Sequence, residues 1–165
     1  MGLYSKKMKI FGVILTYNCE NLVEKTLKKV PFQKFSKIIC SDDGSTDDTE
    51  KKMKENNIEF YSHEHLGYGG NLFFGLKKAF EMGATHVVEI HGDGQYDLNN
   101  INEILMKFKT ENCDLILGNR FYNYKRTLNN GMPLHIFFGN IFLSQIARIG
   151  LGLKFEDFFP GQGAY

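Results

Sequence analysis

Tryptophan is absent from this 165-residue chain, and proline and cysteine each occur only three times. The cysteines, Cys19, Cys40 and Cys113, are odd in number and share no metal-ligand spacing. That excludes a disulfide framework and a cysteine-based zinc site, and it fits a reduced, cytoplasmic chain. An excess of one charge is also lacking: the formal net charge is +1, with no arginine-rich block. No broad field therefore points to nucleic acid, and no recognition-helix or zinc-finger signature appears. No uninterrupted apolar run reaches about 18 residues, so a spanning helix is not expected. Residues 1–9 are polar and contain no signal-peptide apolar region. Phenylalanine, by contrast, is abundant at 15 and crowds the last third. With 42% hydrophobic and 24% charged residues, the composition is that of a soluble globular chain, and residues 1–165 read as a single domain.

Apolar runs of strand length alternate with helical patterns. Residues 10–16 form a continuous apolar run that suits a strand covered on both faces. Further strands are predicted at 37–41, 58–62, 86–90 and 114–118. A first helix carries Leu22, Val23, Leu27 and Val30 on one face and stops at Pro31. Ser45 is placed as the N-cap of a second, with Asp47, Asp48 and Glu50 in its first turn. A third opens at Gly67-Tyr68-Gly69-Gly70, turns Leu72, Phe73, Leu76, Ala79 and Phe80 to one side, and ends at Gly83. A fourth, capped by Asp97 or Asn99, points Ile101, Ile104, Leu105 and Phe108 inward. Residues 119–134 read as a loop. The alternation predicts an α/β fold with a mainly parallel, Rossmann-like sheet and helices on both faces.

Two acidic motifs stand about fifty residues apart, each directly after a predicted strand: Ser41-Asp42-Asp43-Gly44-Ser45-Thr46-Asp47-Asp48-Thr49 and His91-Gly92-Asp93-Gly94-Gln95-Tyr96-Asp97. Open α/β sheets bind ligands at the carboxyl ends of their strands. An ionised Asp43 there can accept hydrogen bonds from a base or a ribose, or it can make a turn and cap a helix. Gly44 lets the backbone turn tightly beside a ligand. Asp93 with the Gln95 oxygen suits Mg²⁺ or Mn²⁺, which take their remaining ligands from water and phosphate. His91, two residues earlier on the same side of an extended chain, can ligate Mn²⁺, bond a phosphate, or sit as a satisfied strand-end histidine. The Gly67–Asn71 turn either offers N–H groups to a diphosphate or simply starts a helix. It lacks the spacing of a dinucleotide fingerprint. His63 and His65 lack a third ligand nearby, which argues against zinc.

The ordered set Leu15-Thr16-Tyr17-Asn18, Asp42-Asp43-Gly44-Ser45-Thr46-Asp47, Gly67-Tyr68-Gly69-Gly70-Asn71 with Gly75-Leu76, Gly92-Asp93-Gly94-Gln95-Tyr96 and Gly118-Asn119-Arg120-Phe121 resembles the family 2 glycosyltransferases over nearly the whole chain. Within them it is most similar to the dolichyl- and polyprenyl-phosphate hexosyltransferase branch. The resemblance implies the GT-A nucleotide-diphospho-sugar transferase fold and an inverting, metal-dependent hexose transfer from a GDP- or UDP-linked donor. It implies that Thr16, Tyr17, Asn18, Asp43, Gly44, Gly67 and Gly70 bind the nucleotide. Asp93, Gln95 and His91 would hold Mg²⁺ or Mn²⁺, with Asp93 and Arg120 catalytic and Arg120 on a phosphate. Three departures stand out. His91 occupies a position where the metal motif often has its first aspartate, and Leu15 one where proline is frequent. In the segment Asp157–Tyr165, Pro160 and Gly163 replace a usual serine and arginine. The family continues beyond this point, so the chain is expected to lack its C-terminal extension.

Residues 135–153 read as an apolar amphipathic helix in which Asn140, Ser144 and Arg148 recur every four residues. Its wide apolar face suits the protein's own core, a subunit or partner chain, or a peripheral contact with the cytoplasmic membrane face. A lipid-phosphate acceptor needs no general base because the nucleophile is already anionic, whereas a saccharide hydroxyl needs one. Arg120, Arg148 and Asp157 are the candidate acceptor contacts. A nucleotidyltransferase would carry a glycine- and lysine-rich loop after the first strand, and Thr16-Tyr17-Asn18-Cys19-Glu20 has neither. A non-catalytic nucleotide-sugar-binding module completed by a partner chain remains as the alternative outside the enzymes.

Overall fold

The computed structural model describes residues 8–94, 98–111, 113–119, 128, 133–152 and 163–164. It contains two compact units, Met1–Leu115 with Ala164–Tyr165, and Ile116–Gly163.

The first unit is built on the expected parallel sheet. Strands β1 (Ile10–Thr16), β2 (Lys37–Asp42), β3 (Glu59–Ser62) and β4 (His86–His91) lie in the order β3-β2-β1-β4, all parallel. At the β4 edge, Val88 pairs antiparallel with Ala164 of the two-residue strand β6 (Gly163–Ala164). The β1 chain is buried throughout because both of its faces are covered. On one face Ile14, Cys40 and Ile90 pack with Val23 and Leu27 of α1 (Glu20–Leu27) and Met53 of α2 (Thr49–Glu55). On the other, Phe11, Val13, Leu15, Ile39 and Val87 pack with Ala79, Leu72 and Leu76 of α3 (Gly67–Glu81). Helix α4 (Ile101–Thr110) follows a 3₁₀ turn at Leu98–Asn100 and buries Ile101 and Phe108, as its pattern predicts.

Several local expectations are corrected. Helix α1 buries Val23, Thr26 and Leu27, while Leu22 is exposed, so its inward stripe is rotated toward a threonine. Helix α3 buries Asn71, Gly75 and Ala79 and leaves Phe73 and Phe80 exposed. The reason is close approach: a Cβ on Gly75 would lie 2.6 Å from Val13 Cγ1, so the small residues form the contact stripe. Ser45 is not a helix cap. Helix α2 starts at Thr49 after Asp48, because the Ser45 hydroxyl is engaged by Asp42. The fifth strand is only Ile116–Leu117 (β5). Asp97 and most of 119–134 lie outside the described residues.

In the second unit, α5 (Leu134–Leu151) closes with Gly152 in the left-handed region at φ 64°. Its 18 residues have a mean hydropathy of 1.3, long and apolar enough to cross a membrane by length and composition. Its buried residues are Phe137 and Ser144, whereas Phe138, Phe142, Ile146 and Ile149 are exposed.

Candidate donor site

Strands β1, β2 and β4 end side by side, with Thr16 in register with Asp42 and Leu15 with His91. Backbone bonds carry this order past the strands: Asp43 N–H donates to Thr16 O at 3.0 Å, and Gly92 N–H to Leu15 O at 2.8 Å. A crevice of about 250 Å³ opens here, between β1 and the strands flanking it. Leu15, Thr16, Tyr17 and Cys19 line it from the first strand and its loop, Asp43 from the second, and His91, Gly92 and Asp93 from the fourth. His65, Gly67, Tyr68 and Asn71 close it from the start of α3. The chain leaves β1 toward β2 on one side and meets β4 on the other, so the crevice sits at the switch point of the sheet.

The two adjacent aspartates have opposite surroundings, as strand alternation requires. Asp42 is buried and accepts from Thr16 Oγ1 at 2.7 Å, Ser45 N–H at 2.8 Å, Ser45 Oγ at 2.5 Å and Ser62 Oγ at 3.0 Å. It organises the loop. Asp43 lines the crevice and accepts the N–H groups of Leu66 at 2.7 Å and Gly67 at 3.0 Å. His65 Nδ1 lies 2.9 Å from its Oδ2. The anion thus sits at the start of α3, where it also favours the helix dipole. The Gly67 amide donates to Asp43, and the chain turns there in the left-handed region at φ +78°. Gly44 at φ +77° makes the matching turn after Asp43.

Tyr17 is half-exposed and stacks on His65, with ring centroids 4.5 Å apart. An aromatic surface beside a carboxylate is what a nucleobase needs: a face to stack on and an acceptor for its N–H groups. Thr16 is buried with its hydroxyl on Asp42, and its carbonyl accepts from Asn71 Nδ2 at 3.2 Å. Asn18 accepts Thr46 N–H at 2.8 Å through its own side chain. Both therefore brace the loop that carries Tyr17. Gly70 lies in the first turn of α3, where a Cβ would collide with Leu66.

His91 and Asp93 line the opposite wall. Glu89, 1% exposed in the middle of β4, accepts from Tyr68 OH at 2.7 Å and pairs with His91 Nε2 at 2.6 Å through the same Oε1. The Asp93 loop is held from α1: Thr26 Oγ1 donates to Gly92 O at 2.8 Å. A Cβ on Gly92 would stand 2.7 Å from Thr16 Cγ2, so the loop packs directly on β1. Among the described residues no group of three His, Cys, Asp or Glu side chains is placed to hold a metal by itself. One carboxylate and one imidazole on a shared wall suit a cation whose other ligands are phosphate oxygens and water. Burial pushes the Cys19 thiol up to about 11 and that of Cys40 higher still, so neither is a nucleophile at neutral pH.

The crevice therefore brings together Thr16, Tyr17, Asp43, Gly67, His91 and Asp93 from four separate motifs. Gln95, Arg120 and Asp157 lie outside the described residues, and Arg148 is exposed on α5 in the second unit. His65, Tyr68, Asn71 and Glu89 were not anticipated as site residues. The signal for Glu89 was present, since a lone charge inside a strand buried on both faces needs a partner. For His65 and Tyr68, short polar segments carried no such signal.

Residues 13–162 match glycosyl transferase family 2. The chain is 30% identical to a UDP-N-acetylglucosamine–dolichyl-phosphate N-acetylglucosaminyltransferase of Methanococcus voltae, over 94% of its own length and 68% of the relative's. It is 29% identical to an uncharacterised protein of Methanocaldococcus jannaschii, over 96% of its length and 65% of that protein's. Among solved structures, glucosyl-3-phosphoglycerate synthase of Mycobacterium tuberculosis, in complex with Mn²⁺, UDP and glucosyl-3-phosphoglycerate, superposes with a TM-score of 0.69 at 20% identity. That superposition covers 96% of this chain and 56% of the synthase. S. aureus TarS 1–349 in complex with UDP-GlcNAc gives 0.52 at 21% identity, over 67% of this chain and 34% of TarS. The chain thus spans about two thirds of these two sequence relatives and less of the solved chains. With the parallel sheet, the helices on both faces and the crevice at the strand ends, these matches establish the GT-A fold, and the chain belongs to glycosyl transferase family 2.

Proposed function

We propose that this domain transfers a hexose, in an inverting reaction, from a UDP-linked sugar to a polyprenyl or dolichyl phosphate. The observation that carries the reading is the convergence of Tyr17, Asp43, His91 and Asp93 on one crevice at the sheet's switch point. The Methanococcus voltae relative, named for UDP-N-acetylglucosamine and dolichyl phosphate, supports both the donor and the acceptor class. The UDP in the synthase and the UDP-GlcNAc in TarS support a uridine donor on the same fold.

Tyr17 offers the base a stacking face, and Asp43 an acceptor for base or ribose hydrogens. Asp93, His91 and Gln95 would hold Mg²⁺ or Mn²⁺, which neutralises charge on the departing diphosphate. Arg120 is assigned to phosphate, where a guanidinium can bind two oxygens at once. During transfer the anomeric carbon exchanges its bond to the diphosphate oxygen for a bond to an acceptor oxygen on the opposite face. The transition state has oxocarbenium character. A phosphate acceptor is already ionised, so no side chain has to remove a proton.

Helix α5 supports the lipid acceptor and a peripheral place on a membrane, for which the cytoplasmic face is the one proposed. It buries Phe137 and Ser144 while Phe138 and Ile149 stand 64% and 82% exposed, an apolar surface that suits a membrane interface.

The test is a thermal-shift and transfer experiment. UDP, GDP, UDP-GlcNAc and GDP-mannose are added with Mn²⁺, Mg²⁺ or EDTA to the wild type and to Asp93→Ala. Radiolabelled transfer to polyprenyl phosphate in vesicles is then measured. The reading predicts a metal-dependent shift with UDP, its loss in Asp93→Ala, and labelled lipid product. No shift with any nucleotide overturns the donor site. A shift without transfer to the lipid overturns the lipid acceptor and points to a saccharide acceptor or to a binding module completed by another chain.

A further inference from the structure

We propose that Glu89 is a positioning residue of the donor site. It fixes the His91 imidazole so that the crevice binds a divalent cation on the nucleotide diphosphate. The inference rests on the donor site proposed above.

A carboxylate 1% exposed in a strand covered on both faces is costly to bury unless it is hydrogen-bonded. Glu89 Oε1 receives Tyr68 OH at 2.7 Å and lies 2.6 Å from His91 Nε2. Both partners line the crevice, and Glu89 itself does not. Glu89 and His91 are two residues apart in β4, so their side chains leave the same face of the sheet. Tyr68 reaches that face from the first turn of α3, with its ring 5.6 Å from that of His91. Glu89 therefore fixes the Nε2 side of the imidazole, with the Tyr68 ring beside it. A carboxylate behind a ligating histidine fixes its tautomer and ring orientation. Glu89 holds His91 in this way on the wall that also carries Asp93. A purely structural role would be indifferent to the metal.

The experiment measures UDP affinity by calorimetry in Mn²⁺ and in EDTA for the wild type, Glu89→Gln, His91→Gln and the double variant. Glutamine keeps a carbonyl acceptor for Tyr68 and His91, while it removes the charge and puts an amide NH2 in place of the other oxygen. In Mn²⁺ each single variant should lose about 10–100-fold in affinity, the range expected for outer-shell partners of a metal ligand. The double variant should lose no more than His91→Gln, and affinity in EDTA should stay within about twofold of the wild type. The electron-spin-echo spectrum of the wild-type Mn²⁺–UDP complex should show coupling to an imidazole nitrogen. That measurement stands even where Glu89→Gln does not fold. Wild-type affinity in Glu89→Gln, additive losses in the double variant, equal losses in EDTA, or no nitrogen coupling in the wild type would each overturn the assignment. Absence of any metal-dependent UDP binding by the wild type would overturn the donor site itself and this assignment with it.

Discussion

The Thr16 hydroxyl donates to Asp42 Oδ1 at 2.7 Å, joining the last residues of two neighbouring parallel strands at the edge from which the crevice opens. The bond accounts for two motif residues at once. It also separates the aspartate that holds the loop from the one that faces the ligand.

Asp42→Ala leaves three hydroxyls and an amide without their acceptor and should lower unfolding stability by about 3–4 kcal/mol. Asp43→Ala loses the bonds to Leu66 and Gly67 and should cost about 1–2 kcal/mol while abolishing measurable UDP binding. Urea denaturation with a UDP titration separates the two. Equal stability losses would contradict the division of labour.

Gly75→Ala gains about 1 kcal/mol of helix propensity but pushes a Cβ to 2.6 Å from Val13 Cγ1 and 2.9 Å from Ser41 Cβ. Overpacking should win, for a net loss of about 1–2 kcal/mol. In the same helix a Cβ on Gly69 meets nothing within 4 Å, so Gly69→Ala should stabilise by up to about 1 kcal/mol. Melting temperatures of the two variants should move in opposite directions.

The Asp47 carboxyl lies below its ordinary range. Partial burial works against this, but hydrogen bonds from Thr49 and from the Glu20 amide outweigh it. The folded chain thus binds this proton less readily than the unfolded one. The stabilisation is present above about pH 4 and is lost as pH falls through the lowered value. Asp47→Ala should cost about 1 kcal/mol at neutral pH, and the gap to wild type should narrow toward pH 2. Denaturation midpoints at pH 7, 4 and 2.5 test this, and a gap constant across the range would argue against it.

Much of the architecture was legible because its causes are local. The apolar run of β1 announced a strand covered on both faces, and the break at Gly83 announced where α3 stops, whereas α1 ends at Leu27, short of Pro31. The helix faces were less legible. Hydrophobicity alone put Phe73 and Phe80 inward, yet the contact runs through Asn71, Gly75 and Ala79, since the distance between helix and sheet selects for small side chains. Ser45 looked like a cap because serine prefers that position. Asp42, three residues earlier, offered its hydroxyl a buried carboxylate instead.

The sequence by itself determined that Asp43, the Gly67 turn, His91 and Asp93 would each sit beside a strand end, since strand runs and turn residues are set by neighbours in the chain. Only the tertiary structure decided that Asp42 faces Thr16 while Asp43 faces the crevice, and that Tyr17 stacks on His65. It alone decided that Glu89 meets Tyr68 from a helix twenty-one residues away. Those contacts depend on strand register and on how closely a helix approaches the sheet, and neither is set by the residues adjoining them in the chain.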